Sequence, residues 1–347
     1  MDLKFGTDGI RGPVQTEITP EVCLKIGHAA GIVLKEEGLE SVMIGKDTRV
    51  SGYMLEAALE AGFIAAGINV RLLGPIPTPG VAYLTKTFRK QFGLVISASH
   101  NNFLDNGIKI FDANGVKISR DIELKIEKVL KSDLNLVETS SLGKAEAFHE
   151  STARYIEFCK STVPVDISFN NLRIVLDCAN GACYKVSPAV FKELGAEVIP
   201  FGVDPDGFNI NHECGSTHPK LAQEMVLKHR ADYGVTLDGD GDRVGLVTEK
   251  GNVIFPDKIL MLFAKDVLAK NAGGKIIFDV KCTNALGEII KANGGEPIMS
   301  PTGHFHIKNK LRETNALLAG EMSGHIFFND NWYGFDDGHY AGVRLID

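Results

Sequence analysis

A chain of 347 residues is too long for one ordinary core and predicts two or three domains. Its 44% hydrophobic and 23% charged residues are typical of a globular protein. A net charge of -7 excludes a general nucleic-acid binder, which needs a basic excess, but leaves room for a local positive pocket for a small phosphorylated ligand.

From the N-terminus, Phe5-Gly-Thr-Asp8-Gly-Ile-Arg11-Gly12 sets an arginine between glycines, where backbone can approach a phosphate and a guanidinium can bind it bidentately. Next, Ser41-Val-Met-Ile-Gly-Lys-Asp47 reads as an apolar strand ending in an aspartate, followed by an amphipathic helix and a second strand from Gly67. The unit recurs as Leu172–Asp177, a helix and Gly195–Ile199, and again as Lys275–Asp279, a helix and Gly295–Met299. Glycine at each helix exit suits a left-handed cap. Each copy then reaches a short apolar strand that runs into a polar loop: Phe92 to His100, Tyr233 to Asp240, and Ala316 to Ser323. Alternating strands and helices predict α/β layers, in which ligands gather beyond the carboxyl ends of strands. The expectation is three tandem, topologically similar α/β/α domains around a shared cleft, with boundaries near 144 and 250.

The six cysteines are scattered without a C-x-x-C pair, which predicts reduced thiols rather than a zinc or redox motif. No signal-peptide profile and no apolar run of ~20 residues is present, so the expected setting is cytoplasmic, with no membrane or nucleic-acid partner.

The polar loops carry the chemistry. Asp238-Gly-Asp240-Gly-Asp242-Arg243 sets three carboxylates at alternate positions, able to converge on one hard cation. The same spacing fits an EF-hand, with Glu249 at the twelfth position, but Arg243 replaces the required glycine and the flanks read as strands. Magnesium is the preferred ion, because few protein ligands leave room for a phosphate oxygen and water. Ser97-Ala-Ser99-His100 offers a hydroxyl beside an imidazole, without the G-x-S-x-G elbow of a hydrolase. Lys109 follows as a cation able to hold a phosphate or move a proton. Gly320-Glu321-Met322-Ser323-Gly324-His325 combines a carboxylate and a hydroxyl suited to vicinal sugar hydroxyls with a possible acid–base histidine, and His304 lies in a similar loop.

Taken together, FGTDGIRG, SASHN with DNGIK, DGDGDRVG, and GEMSGH with WYGFDDG resemble, in order, the motifs of the α-D-phosphohexomutase family over the whole chain. The resemblance implies a phosphomutase that interconverts hexose 1- and 6-phosphates through a phosphorylated Ser99 and a hexose 1,6-bisphosphate, which also serves as activator. Asp238, Asp240 and Asp242 would hold magnesium, with Ser99 as a further ligand and Arg243 in the same site. Arg11, His100, Lys109 and His325 would line the catalytic cleft. Glu321, Ser323, His304 and Lys281 would contact the sugar phosphate.

The family's fourth, phosphate-clamping domain would begin about where the sequence reaches Arg344-Leu-Ile-Asp347, which raises a second expectation: a three-domain form that binds sugar phosphates without turnover. A phosphatase, with water intercepting the phosphoserine, is a third. The front resembles phosphoglucosamine mutase and the back bacterial phosphomannomutase/phosphoglucomutase, as in a mosaic or chimera. Because the sugar loop lies in the back, glucose and mannose phosphates are the expected substrates, with glucosamine phosphate the alternative. Asn102 stands where the family commonly has proline, which would loosen the serine loop.

Overall fold

The computed structural model describes residues 4–6 and 9–346. The chain divides into two compact units, Met1–Tyr155 with Pro205–Ile210, and Ile156–Asp204 with Asn211–Asp347.

The first unit runs β1 (Ile10–Pro13), α1 (Pro20–Glu36), β2 (Ser41–Lys46), α2 (Ser51–Ala65), β3 (Asn69–Pro75), α3 (Thr78–Thr87), β4 (Gln91–Ile96), β5 (Asp105–Phe111), α4 (Arg120–Val129), β6 (Ala145–Ala147) and the start of α5 (Ser151–Ser161). Its sheet has the order β1-β5-β4-β2-β3-β6. Thr19 starts α1 by accepting the Val22 N–H at 3.2 Å, with Pro20 at the first helical position. All six residues of β4 are buried, as expected of a central strand covered on both faces. Helices α1 and α2 pack closely: a Cβ on Gly62 would lie 2.2 Å from the Leu24 carbonyl oxygen, and one on Gly27 2.5 Å from that of Leu59.

The second unit holds two further sheets. One is built from β7 (Arg173–Asp177), α6 (Val186–Glu193), β8 (Glu197–Phe201), α7 (Lys220–His229), β9 (Tyr233–Leu237), β10 (Val244–Thr248) and β11 (Val253–Ile254), in the order β11-β10-β9-β7-β8. The other follows from α8 (Pro256–Lys270), β12 (Lys275–Asp279), α9 (Asn284–Ala292), β13 (Glu296–Ser300), α10 (His304–Thr314), β14 (Leu318–Gly320), β15 (Ile326–Phe328) and α11 (Gly338–Arg344), in the order β13-β12-β14-β15.

One topology underlies all three sheets. The first strand of the repeat is central (β2, β7, β12), with the second and third pairing parallel on either side. A fourth strand then returns antiparallel to the third: β5 on β4, β10 on β9, β15 on β14. The three chemically loaded loops are the connections from third to fourth strand. Gly67 and Gly195 take the expected left-handed conformation, with φ of 80° and 108°. In the third copy Gly294 takes it instead, at 78°, while Gly295 is required by space, since a Cβ there would meet Leu268 at 2.7 Å.

All six cysteines are free and buried, and burial pushes the Cys23 and Cys214 thiols up to about 12. His339 of α11 is fully buried, with Nδ1 2.9 Å from Ser187 Oγ of α6, and burial pushes its pKa down to about 3.

Two predictions follow from this packing. Gly62→Ala should destabilise the first unit by about 1–3 kcal/mol through overpacking, seen as a lower thermal midpoint. Between pH 6.5 and about 3 the unfolded chain takes up a proton that folded His339 refuses, so stability falls with falling pH. His339→Gln should therefore flatten the acid limb of a pH–stability profile by up to about 1.4 kcal/mol per pH unit relative to the unsubstituted protein.

Candidate active site

The first loop, between β4 and β5, presents Ser99, only 1% exposed and held at φ 52°, a left-handed conformation unusual for serine. Its N–H donates to Ser97 Oγ at 2.9 Å, and Asn101 N–H closes a turn on the Ala98 carbonyl at 3.1 Å. His100 is half-buried beside it. The Asn102 side chain accepts the Leu104 N–H at 3.0 Å in an Asx turn. Register brings two predicted cations alongside. Arg11 of β1 faces Gly107 of β5, and Lys109, two residues further on, shares that face of the strand. Lys109 is buried at 4% exposure. Thr7 and Asp8 of the N-terminal motif lie outside the described residues.

The second loop joins β9 to β10. Asp238, Asp240 and Asp242 are each at most 2% exposed, and their carboxylate oxygens lie within 4.8 Å of one another. The flanks form an antiparallel hairpin, with Val244 paired to Leu237, so the EF-hand is excluded on structure as on sequence. Asp238 Oδ1 accepts the N–H groups of Gly241 and Arg243 at 3.1 and 3.2 Å, which fixes the turn. Arg243 Nε lies 3.8 Å from Asp238 and 3.9 Å from Asp242. Three buried carboxylates beside one guanidinium leave excess negative charge, and an all-oxygen donor set fits a hard divalent cation.

The third loop joins β14 to β15. Glu321, 3% exposed, accepts the Gly303 N–H at 2.5 Å, and Ser323 Oγ donates to it at 3.4 Å. His325 completes the turn and meets the second loop: Arg243 Nε donates to its Nε2 at 3.1 Å, while its Nδ1 lies 3.2 Å from Asp336 and 3.7 Å from Asp242. Burial alone would lower the His325 pKa, but Asp242 and the bond to Asp336 outweigh it and hold the imidazole above its ordinary value. The bond from Arg243 requires Nε2 to be unprotonated, so His325 can take a proton there only by giving up Arg243. His304 stacks on His325 with centroids 5.6 Å apart. Lys281 is exposed in the loop after β12.

Several residues at these loops were given no role by sequence reasoning. Asp336 binds Lys308 at 2.6 Å and faces both His325 and His304. Burial would raise its pKa, but the Lys308 charge and His325 hold it well below the usual carboxylate range. With Lys308 and Arg243 in place, the Asp242–His325–Asp336 cluster is already balanced and is a poorer metal site than the carboxylate trio. The aspartate at the end of each central strand, or one residue beyond it in the case of Asp47, is an anchor. Asp177 accepts the Ala179 and Gly215 N–H groups at 2.9 and 2.6 Å, and burial raises its pKa to about 7. Asp279 accepts from Thr302 Oγ1 at 2.9 Å and Met322 N–H at 3.2 Å. Asp47 pairs with the fully buried Arg49. The signal was the threefold recurrence itself.

Three like sheets with a serine, a carboxylate trio and a Glu-Met-Ser turn at equivalent antiparallel returns define a phosphomutase scaffold. The chain matches the phosphoglucomutase/phosphomannomutase α/β/α domain I over residues 2–136, domain II over 153–251 and domain III over 255–347. It belongs to the α-D-phosphohexomutase family and is an enzyme of the phosphotransferase/isomerase type. It is 52% identical over 344 residues to phosphoglucosamine mutase of Legionella pneumophila, covering 99% of this chain and 75% of that one. With phosphoglucosamine mutase of Aliivibrio fischeri it shares 49% over 328 residues, 94% of this chain and 74% of the relative. A crystal structure of a phosphoglucomutase/phosphomannomutase family protein from Burkholderia thailandensis superposes with a TM-score of 0.88 at 37% identity, over 98% of this chain and 75% of that one. The Legionella match spans the back of the chain as well as the front, so these relatives' names favour the glucosamine alternative over glucose and mannose phosphates.

Asp240→Asn tests the carboxylate trio. Without metal the variant should melt above the unsubstituted protein, since one repelling charge is gone. Magnesium should stabilise the unsubstituted protein, by about 2.7 kcal/mol at a hundredfold excess over Kd, and the variant much less.

Proposed function

We propose that this chain is a phosphoglucosamine mutase, interconverting glucosamine 6-phosphate and glucosamine 1-phosphate with Ser99 as the phosphate carrier. The observation that carries the reading is the equivalence of the three loops: a buried serine, a carboxylate trio and a Glu321–Ser323 turn at the same antiparallel return of three like sheets. The choice of sugar is supported by the relatives at 49–52% identity.

In this reading phosphorylated Ser99 donates its phosphoryl group to the free sugar hydroxyl. The bond from phosphorus to Oγ breaks as one to the sugar oxygen forms, and the hydroxyl proton passes to a base. The resulting 1,6-bisphosphate turns end for end and returns its other phosphoryl group to Ser99, so added bisphosphate primes the enzyme. The roles proposed are proton transfer for Lys109 and His325 and phosphate recognition for Arg11, His100 and Arg243. Glu321 and Ser323 grip sugar hydroxyls, and His304 and Lys281 hold the substrate. Magnesium, which Asp238, Asp240 and Asp242 would hold, would offset phosphoryl charge. Positioning and charge neutralisation supply most of the rate in such a transfer.

Phosphorus NMR of the protein with magnesium and a trace of glucose 1,6-bisphosphate tests this. Glucosamine 6-phosphate should convert to the 1-phosphate, and Ser99→Ala should abolish conversion. Faster turnover of glucose or mannose phosphate would reassign the sugar. Free phosphate release without isomerisation would make the protein a phosphatase, and binding without either would make it a silent sugar-phosphate binder.

A further inference from the structure

Arg49 is the largest side chain in the described residues with no exposure. A guanidinium keeps its charge in a protein, so burying one demands a counterion and a partner for its N–H groups. Asp47 is the counterion, itself fixed by the Arg49 backbone N–H at 2.9 Å. The other partners belong to the serine loop. Nη2 donates to the carbonyls of Asn101 at 2.6 Å and Ser99 at 3.2 Å, Nη1 to Ser97 Oγ at 3.4 Å, and Nε to the Asn102 carbonyl at 3.4 Å. Ser97 Oγ in turn accepts the Ser99 N–H. Both backbone polar groups of Ser99 are therefore tied to one guanidinium, the carbonyl directly and the N–H through Ser97. Ser99 is also the residue held in the left-handed conformation that non-glycine residues avoid.

The repeat supplies an internal comparison. The three central-strand aspartates are followed two residues later by Arg49, Ala179 and Lys281. Ala179 has no side-chain donor, and Lys281 is exposed. Among the described residues, a buried Asp–Arg pair at this position of the repeat occurs only in the copy that carries the reactive hydroxyl. Lysine could not replace it, because a single ammonium cannot present the planar fork that reaches Ser97, Ser99 and Asn101 together.

We propose that Arg49, held by Asp47, is the positioning residue for the phosphate carrier: it fixes the left-handed turn that presents Ser99 Oγ for phosphoryl transfer. The proposal rests on the function assigned above to Ser99.

Arg49→Lys, Arg49→Met and Ser97→Ala would be compared with the unsubstituted protein. The readouts are phosphate uptake on Ser99 from glucose 1,6-bisphosphate by intact mass, kcat and KM for glucosamine 6-phosphate, amide hydrogen exchange over residues 97–102, and thermal midpoint. Arg49→Lys should lower kcat and phosphate uptake roughly 10–100-fold with KM within about twofold, since misplacing a reacting group costs rate rather than binding. Exchange should quicken at 97–102 and not elsewhere. Ser97→Ala, which cuts the link to Ser99 N–H while keeping the buried ion pair, should move the same readouts less far, and it decides the question if both Arg49 variants unfold. Folded variants with unchanged kcat and unchanged loop exchange would overturn the proposal. So would a loss of activity no larger than the unfolded fraction explains. If the unsubstituted protein takes up no phosphate, the assigned function fails, and loop exchange alone still judges whether Arg49 holds the turn.

Discussion

In each of the three sheets a carboxylate is buried at the carboxyl end of the central parallel strand. Such a group is tolerable only if neighbouring donors converge on it, and here those donors come from the connections that gather beyond the carboxyl ends of the strands. Asp177 draws in Ala179 and Gly215, Asp279 draws in Thr302 and Met322, and Asp47 draws in Arg49. The sheet supplies the position and the aspartate converts it into a fixed loop geometry. What each copy then does depends on the side chains its loops carry, since most of the anchoring donors are backbone N–H groups.

Beyond that anchor the second unit adds a charge relay across its two sheets. Arg243 lies between the carboxylate trio and His325, and Asp336 sits behind His325 with Lys308. Moving a proton on His325 therefore changes the partner of Arg243, and with it the charge felt by Asp238 and Asp242. The glycine of the last motif makes this possible: a Cβ on Gly338 would lie 2.2 Å from the Arg243 carbonyl oxygen, so only glycine lets α11 pack against the carboxylate loop.

Much of this was legible in the sequence because it is local. Strands such as Lys275–Asp279 and Arg173–Asp177 declare themselves by short apolar runs ending in a polar residue, and their recurrence gave the three-sheet topology. The carboxylate trio was legible because its members are two residues apart on one turn. What escaped depends on contacts distant in the chain. Nothing near Arg49 announces that its side chain will reach Asn101, and Asp336 acquires meaning only when Lys308 and His325 close on it. The choice of Gly295 over Gly294 as the left-handed cap erred by one residue because both positions need glycine, one for φ and its neighbour for space.

The buried cysteines bear on how the protein opens. A thiol whose ionisation is suppressed by burial reacts slowly with alkylating reagents until the surrounding chain comes apart. The first unit contains Cys23 alone, whereas Cys159, Cys178, Cys183, Cys214 and Cys282 all belong to the second. The molecule thus carries its own pair of reporters: the peptide that becomes labelled identifies which unit has breathed, without any introduced probe.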